Sequence, residues 1–263
     1  AARHSEVEGG GMILENLTWS DVKRAGIGQK IVLLPLGSFE QHGRHLPFTT
    51  DTDIVTAIAR ALERRRPRRI ALLPTVWIGH STHHLAFPGT LSAHQRQYVD
   101  LLVELCGCIA GMGAKKVFLL NGHGGNDVPA RTALRELKDR HPKIRFAFAS
   151  YWSIATKTIK GVRESELGGI GHACELETSL MLHLHPGRVN MKLAKRDGPK
   201  HGDRFRRVDM QHARPVYFVD EFHEMTKSGT IGHPDLATAA KGKRFFEGIV
   251  AEVATFISAY GKW

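Results

Sequence analysis

Cysteine is scarce in this 263-residue chain: Cys106, Cys108 and Cys174 are the full set. Three is too few, and odd, for a disulfide framework, so a reducing cytoplasm is the expected setting. No run of about 18 apolar residues occurs, which excludes a membrane-spanning helix. Residues 1–11 lack the apolar stretch of a signal peptide and read as a loose polar tail. Glycine has no fixed period, so a collagen-like repeat is excluded. What is abundant is positive charge and histidine. Lys and Arg number 37 against 26 Asp and Glu, a formal net charge of +11, and there are 16 His. The charge points toward nucleic acid or acidic ligands, the histidines toward metal.

Beyond the tail, residues 12–263 read as one domain in which short apolar runs alternate with helical patterns. Ile31–Leu36 is a buried strand ending at Gly37. Helical spacing follows over Asp53–Arg65. A second apolar run, Ile70–Leu73 with Val76–Ile78, is interrupted by Pro74. Ser92–Met112 reads as a helix capped by Ser92. Lys116–Leu120 and Ile144–Ala149 are further strands, with a helix over Asp127–Arg140 between them. Glu175–His185 and Asp235–Tyr260 read as helices. This alternation predicts an α/β fold, a mostly parallel sheet covered by helices on both faces.

Ligands of open parallel sheets bind at the carboxyl ends of the strands. The segments following the strands are Gly37-Ser-Phe-Glu40-Gln-His42-Gly-Arg-His45, then Asp51; Gly79-His80-Ser-Thr-His83-His84; Asn121-Gly-His123-Gly-Gly-Asn126; and Ser150-Tyr-Trp152. A later helix start carries His172-Ala-Cys-Glu175-Leu-Glu177. Seven of the 16 His fall in these segments. Glu40 and His42 share a side of an extended segment, Asp51 precedes a helix, and Glu175 lies near a helix start that favours a carboxylate. Carboxylate and imidazole without thiolate suit Zn, Mn or Fe. Glu177 reads as a hydrogen-bonding group of the core and Cys174 as an inert packing residue. The densest basic run, Glu63-Arg-Arg-Arg-Pro-Arg-Arg69, has no interleaved aromatics and no zinc-finger or RNA-binding signature, so it reads as a solvated helix end rather than a nucleic-acid site. Lys195–Arg214, with Arg204, Arg206 and Arg207, is a second basic excursion. It either approaches the pocket or forms a solvated rim.

The motifs GSFEQHGRHLPFTTD, HLAFPGTLS, NGHGGN, GHACELETSLML and SGTIGHPDLATAAKG, in this order, resemble the creatininase superfamily from about Leu14 onward. The resemblance implies a three-layer α/β/α sandwich with two divalent metal ions, and metal ligation by Glu40, His42, Asp51 and His123. Creatininase proper carries a ligating Glu where this chain has Gly125, so the missing carboxylate is expected from Glu175, with loss of one metal on its replacement by alanine. His172 matches the catalytic His and is the expected general acid. His84 and Trp152 are the expected substrate contacts. Gly168 and Gly171 stand where creatininase has an aromatic and a Glu, which removes half of the clamp for a flat creatinine ring. The implied activity is hydrolysis of a C–N amide bond in a small molecule, a cyclic amide or a formamide. A peptidase acting on a short peptide, as in mycofactocin maturation, is the alternative. A basic nucleic-acid-binding protein is a remoter one. The resemblance also implies a homo-oligomer, with hexameric rings among the family's forms.

Overall fold

A computed structural model describes residues 11–199, 205–212 and 215–263. The tail expected over residues 1–11 therefore falls almost wholly outside the described residues. The helices, in chain order, are α1 (Trp19–Ala25), α2 (Thr50–Arg65), α3 (Gln95–Gly111), α4 (Asp127–Arg140), α5 (Tyr151–Ile154), α6 (Thr156–Val162), α7 (Glu175–Leu184), α8 (Phe222–Met225) and α9 (Ala239–Tyr260). The strands are β1 (Ile31–Leu36), β2 (Ile70–Leu72), β3 (Lys116–Asn121), β4 (Arg145–Ser150), β5 (Ile170–His172) and β6 (Ile231–Gly232). Strands β1 to β4 form one parallel sheet in the order β2-β1-β3-β4. The short pair β5–β6 is antiparallel and separate.

Side chains alternate across a strand, and this alternation makes the three layers. Ile31 and Leu33 of β1 and Phe118 and Leu120 of β3 enter one core with Ile54, Ile58 and Leu62 of α2, Leu180 of α7 and Phe245, Ile249 and Val253 of α9. Val32, Leu34 and Leu36 of β1 and Val117 and Leu119 of β3 enter the other, against Tyr98, Leu102 and Ile109 of α3 and Ala133 and Leu137 of α4. The sheet is thus sandwiched between helices, as the motif order implies.

The boundaries differ from the periodic reading at a few places, each for a local reason. Pro74 ends β2 at Leu72, and the chain returns beside β1 as a single bridge, Val76 pairing with Leu36. Ser92 does not cap α3. Its hydroxyl accepts from Ser81 N and donates to Ala93 O, and His94 takes the cap position instead. The last helix begins at Ala239, where Thr238 Oγ1 accepts from Lys241 N, while Pro234–Leu236 forms a separate 3-10 turn. No helix among the described residues is long and apolar enough to cross a membrane.

Helices α7 and α9 pack backbone to backbone at Gly242, where a Cβ would overlap the carbonyl of Ser179. This contact sets the depth of α7 and hence of the carboxylates at its first turn. Replacing Gly242 by Ala is expected to cost about 1–3 kcal/mol of unfolding free energy by overpacking. Gly107→Ala, on α3 with no atom near its Cβ, is expected to add about 0.5–1 kcal/mol through helix propensity. Chemical denaturation of the two variants checks both signs.

Candidate metal centre

Because β1 to β4 run parallel, their carboxyl ends share one edge, and four segments converge there. The chain leaving β1 carries Glu40 and His42. The first turn of α2 carries Asp51, favoured by the helix dipole. The loop after β3 carries His123, and the end of β5 carries His172. All are buried: Glu40 is 0% exposed, His42 1%, Asp51 3% and His123 3%. Asp51 is the hub. Its Oδ1 lies 3.0 Å from His42 Nε2, its Oδ2 lies 3.1 Å from His123 Nδ1, and Oδ2 accepts from Ser38 Oγ at 2.8 Å. Glu40 Oε2 lies 3.2 Å from His123 Nδ1.

The far nitrogen of each imidazole sets its tautomer. His42 Nδ1 faces the carbonyl of Glu40 at 3.2 Å, and His123 Nε2 faces the carbonyl of His80 at 3.0 Å. Each carbonyl takes an N–H, so the neutral rings turn bare lone pairs toward the carboxylates. Two lone pairs facing carboxylates repel unless a positive charge sits between them. Protons satisfy this in an ion-free cluster. Burial opposes the charged form of His42, but Asp51, Glu177 and Glu40 outweigh it and raise its pKa to about 9. Burial likewise opposes the charge on His123, yet Glu40 and Asp51 hold its pKa well above the usual histidine range. Burial pushes the Asp51 carboxyl up, and the charges and hydrogen bonds of His42 and His123 hold it well below the carboxylate range. Both oxygens of Glu40 are buried and have no hydrogen-bond donor. A buried carboxylate without a donor is costly unless a cation meets it. The donor set therefore fits a divalent ion, which takes the place of protons when it binds.

The expected fifth carboxylate is corrected here. Glu175 turns away from the centre. It accepts from the backbone N–H groups of Glu164 and Ser165 at 3.0 and 2.9 Å and pairs with Lys241 Nζ at 2.8 Å. Glu177 enters instead, with Oε1 4.0 Å from His42 Nε2, and lines the same cavity as Glu40 and Asp51. Two residues along a helix point about 200° apart, so one of the pair can face the centre and the other cannot. Burial and the nearby charges of Asp51 and Glu40 push Glu177 up to about 7, against the opposing pull of His42. Three donor groups could each hold an ion: Glu40, His42 and Asp51; His42, His172 and Glu177; and Glu40, His84 and His172.

His172 and His84 flank the centre on its open side. His172 Nε2 lies 2.8 Å from the carbonyl of Gln41, which leaves Nδ1 facing Glu40 Oε1 at 3.7 Å. His84 is arranged the other way round. Its Nδ1 accepts from the Gln41 amide at 2.8 Å, so its Nε2 carries the hydrogen, 3.3 Å from Glu40 Oε1 but without hydrogen-bond geometry to it. That geometry makes His84 a donor toward the cavity and disfavours it as a ligand. Gln41 thus sets both rings, and its amide also reaches the carbonyl of Gly229 at 3.2 Å.

Asn121 and Asn126 hold the loops together. Asn121 Nδ2 donates to His123 O at 2.6 Å. Asn126 Nδ2 donates to Gly37 O at 3.0 Å, and its Oδ1 accepts from His80 N at 3.0 Å. At Gly125 a Cβ would crowd His83 Cε1 and His123 Nε2 and overlap His80 O. The His80–His84 loop occupies the space that a side chain at 125 would need.

The cavity over the centre holds about 430 Å³. Trp152, Met210 and Phe222 give it an apolar wall. Phe222, at the start of α8, lies 3.8 Å from the His84 ring and 4.8 Å from that of His172, centroid to centroid. The excursion over 195–214 does reach the cavity, through Val208, Asp209, Met210 and His212. Its described arginines are placed elsewhere: Arg206 approaches Asp220 at 3.8 Å and lies over the Phe218 ring, and Arg196 and Arg207 line a separate cavity. Arg204 and Arg214 lie outside the described residues.

Fold and centre together define the class, an α/β/α sandwich whose site is built of cation-seeking side chains at the strand ends. A family model described as creatinine amidohydrolase matches residues 15–257. The mycofactocin precursor peptide peptidase of Mycobacterium ulcerans (strain Agy99) is 31% identical over 239 residues, 88% of this chain and 85% of that one. The creatinine amidohydrolase of Pseudomonas putida is 28% identical over 190 residues, 66% of this chain and 72% of its own. A solved creatininase with manganese superposes with a TM-score of 0.78 at 26% identity, over 95% of this chain and 98% of that one. The chain belongs to the creatininase family and is a hydrolase of that family.

The contrast between the two glutamates is testable without a substrate. Glu175→Gln is expected to lower unfolding free energy by of the order of 3 kcal/mol, because it breaks a buried ion pair, less whatever Glu164, also 2.8 Å from Lys241, retains. Metal content after reconstitution is expected to stay at the wild-type level. Calorimetry and elemental analysis of one preparation check both.

Proposed function

We propose that the protein is a dinuclear metal-dependent amidohydrolase that cleaves a C–N amide bond. The observation that carries this reading is the donorless buried carboxylate of Glu40 beside two imidazoles whose near nitrogens face Asp51. Glu40, Asp51 and His123 would hold one divalent ion and His42, Asp51 and Glu177 the other, with Zn, Mn or Fe suited to this donor set. When bound, the ions supply Lewis-acid activation of water and of the amide carbonyl.

The protein's own groups supply the rest. His172 presents the lone pair of Nδ1 to the cavity, its ring fixed through Nε2 by the carbonyl of Gln41, so it can take a proton from the attacking water at that atom and pass it to the departing nitrogen. His84 Nε2–H donates to a substrate oxygen. Trp152, Met210 and Phe222 exclude water from one side and pack against the substrate's apolar part. Gln41 orients both imidazoles and touches no substrate.

A small cyclic amide or formamide fits the cavity's size. The second reading, a short peptide, is favoured by the higher identity and coverage of the peptidase relative and by glycine at positions 168 and 171. The two share the site and differ only in what packs against the apolar wall.

Metal-loaded protein is expected to release amine or carboxylate from at least one member of a panel of cyclic amides, formamides and short peptides, and to lose this with EDTA. Glu177→Gln is expected to lose about one equivalent of metal and most activity. His172→Asn is expected to keep both metals and lose roughly 10²–10⁴-fold in kcat. Full metal retention by Glu177→Gln would remove that residue from the ligand set. No turnover on any substrate class with any of the three metals would overturn the functional reading.

A further inference from the structure

The edge of the sheet opposite the metal centre gathers the basic charge that the site does not use. Ile31 pairs with Ile70 and with Lys116, and Lys116 pairs with Arg145. A cation therefore stands at or just before the start of every strand. In spatial order these are Arg69 before β2, Lys30 before β1, Lys115 and Lys116 at β3, and Arg145 at β4. Neighbouring strands lie about 4.8 Å apart, and like charges on adjacent strands repel.

A cavity of about 400 Å³ opens along this row. Lys30, Arg69, Lys115, Lys116 and Lys262 line it, and among the described residues no Asp or Glu does. Glu63, whose charge reaches Lys30, is buried and accepts from Met12 N. Lys116 Nζ donates to the carbonyl of Gly261 at 2.6 Å, a contact that positions the ammonium without neutralising it. The side chains of Arg69, Lys115 and Lys262 form no ion pair among the described residues. Arg64, Arg65, Arg66 and Arg68 adjoin the basin in the chain.

We propose that this basin is a binding site for a compact oligophosphate, a short chain of linked phosphates carrying three or more negative charges. Five cations around one concave wall match a multiply charged ligand better than a single phosphate. Among the described residues the wall contains no aromatic ring, so it offers no platform for a nucleobase. Arg69 supplies a planar fork for phosphate oxygens, and the lysines supply point charges. Occupancy offsets the repulsion along the strand starts, so the ligand stabilises the folded chain. Because the strands are parallel, the basin lies at the opposite end of the sheet from the metal centre, and its ligand is neither substrate nor product of that site.

Isothermal titration of the full chain with tripolyphosphate at about 50 mM salt tests this, with orthophosphate and a single-stranded oligonucleotide run alongside. Tripolyphosphate is expected to bind, to raise the melting temperature, and to weaken at least roughly tenfold at about 200 mM salt. The double variant Arg69→Ala/Lys115→Ala is expected to lose at least tenfold in affinity while melting, without ligand, at or above the wild-type temperature. Tripolyphosphate also chelates dications, so the titration is repeated on wild-type protein stripped of metal with EDTA and dialysed, which is expected to bind it as the untreated protein does. Unchanged binding by the double variant, loss of binding in the metal-stripped protein, or no binding at low salt would overturn the proposal. Tighter binding of the oligonucleotide than of tripolyphosphate would also overturn it, by assigning the basin to nucleic acid.

Discussion

Two carboxylates, Glu40 and Asp51, are buried at the carboxyl edge of the sheet, and the arrangement around them follows from the need to place positive charge between them and their imidazoles. Burying a carboxylate without a donor costs far more than a hydrogen bond returns. Asp51 finds Ser38 and two imidazoles, while Glu40 finds imidazole nitrogens but no hydrogen-bond donor. The cluster is therefore incomplete as a purely protein structure and becomes balanced when cations fill it. The raised pKa values of His42 and His123 express the same deficit. Protons and metal ions compete for the same lone pairs, so the groups that hold these protons are also groups that could hold a dication.

Such a centre keeps its geometry only if the loops carrying it cannot drift. Asn121 and Asn126 tie the β3 loop to the end of β1 and to the His80 loop. Carbonyls of Glu40, His80 and Gln41 hold three imidazoles by their far nitrogens. Gln41 gives the two flanking rings opposite polarity: His84 presents an N–H to the cavity and His172 a lone pair. One residue, through its side-chain amide and its backbone carbonyl, thereby separates a hydrogen-bond donor from a proton carrier, although both are the same residue type at the same cavity mouth. Glu175 contributes at one remove, fixing the 164–165 turn and Lys241 behind the helix that presents Glu177.

Strand alternation and the order of the β1, β3 and β4 runs were legible in the sequence, because a buried parallel strand is a short apolar block and its carboxyl end is marked by Gly or Asn. Glu40, His42, Asp51 and His123 were legible for the same reason: each follows a strand or opens a helix, and topology alone brings such positions together. The choice between Glu175 and Glu177 was not. It depends on the phase of α7, which is set by Lys241 on α9, 66 residues beyond Glu175. Gln41 was hidden by distance as well, since His84, His172 and Gly229 lie 43, 131 and 188 residues away. Phe222 carries no local signal; its role comes from where α8 rests. The close packing at Gly125 marks the one place where the sequence did hold a clue, for a glycine in place of an expected ligand means that the volume is taken.

The two ends of the sheet are electrostatic opposites, and the parallel topology is what makes them so. Every strand begins at one edge and ends at the other, so residues that precede strands and residues that follow them are sorted into separate poles. The carboxylates and imidazoles follow strands, and Arg69, Lys30, Lys115, Lys116 and Arg145 stand at or before strand starts. Had the sheet been antiparallel, the same sequence segments would have interleaved, and the cations of the strand starts would have stood among the carboxylates and imidazoles. The net charge of +11 is thus compatible with a site built of cation-seeking side chains, because the strand-start cations lie at the far edge of the sheet, beyond the reach of a Debye length of about 8–10 Å for charges that face solvent.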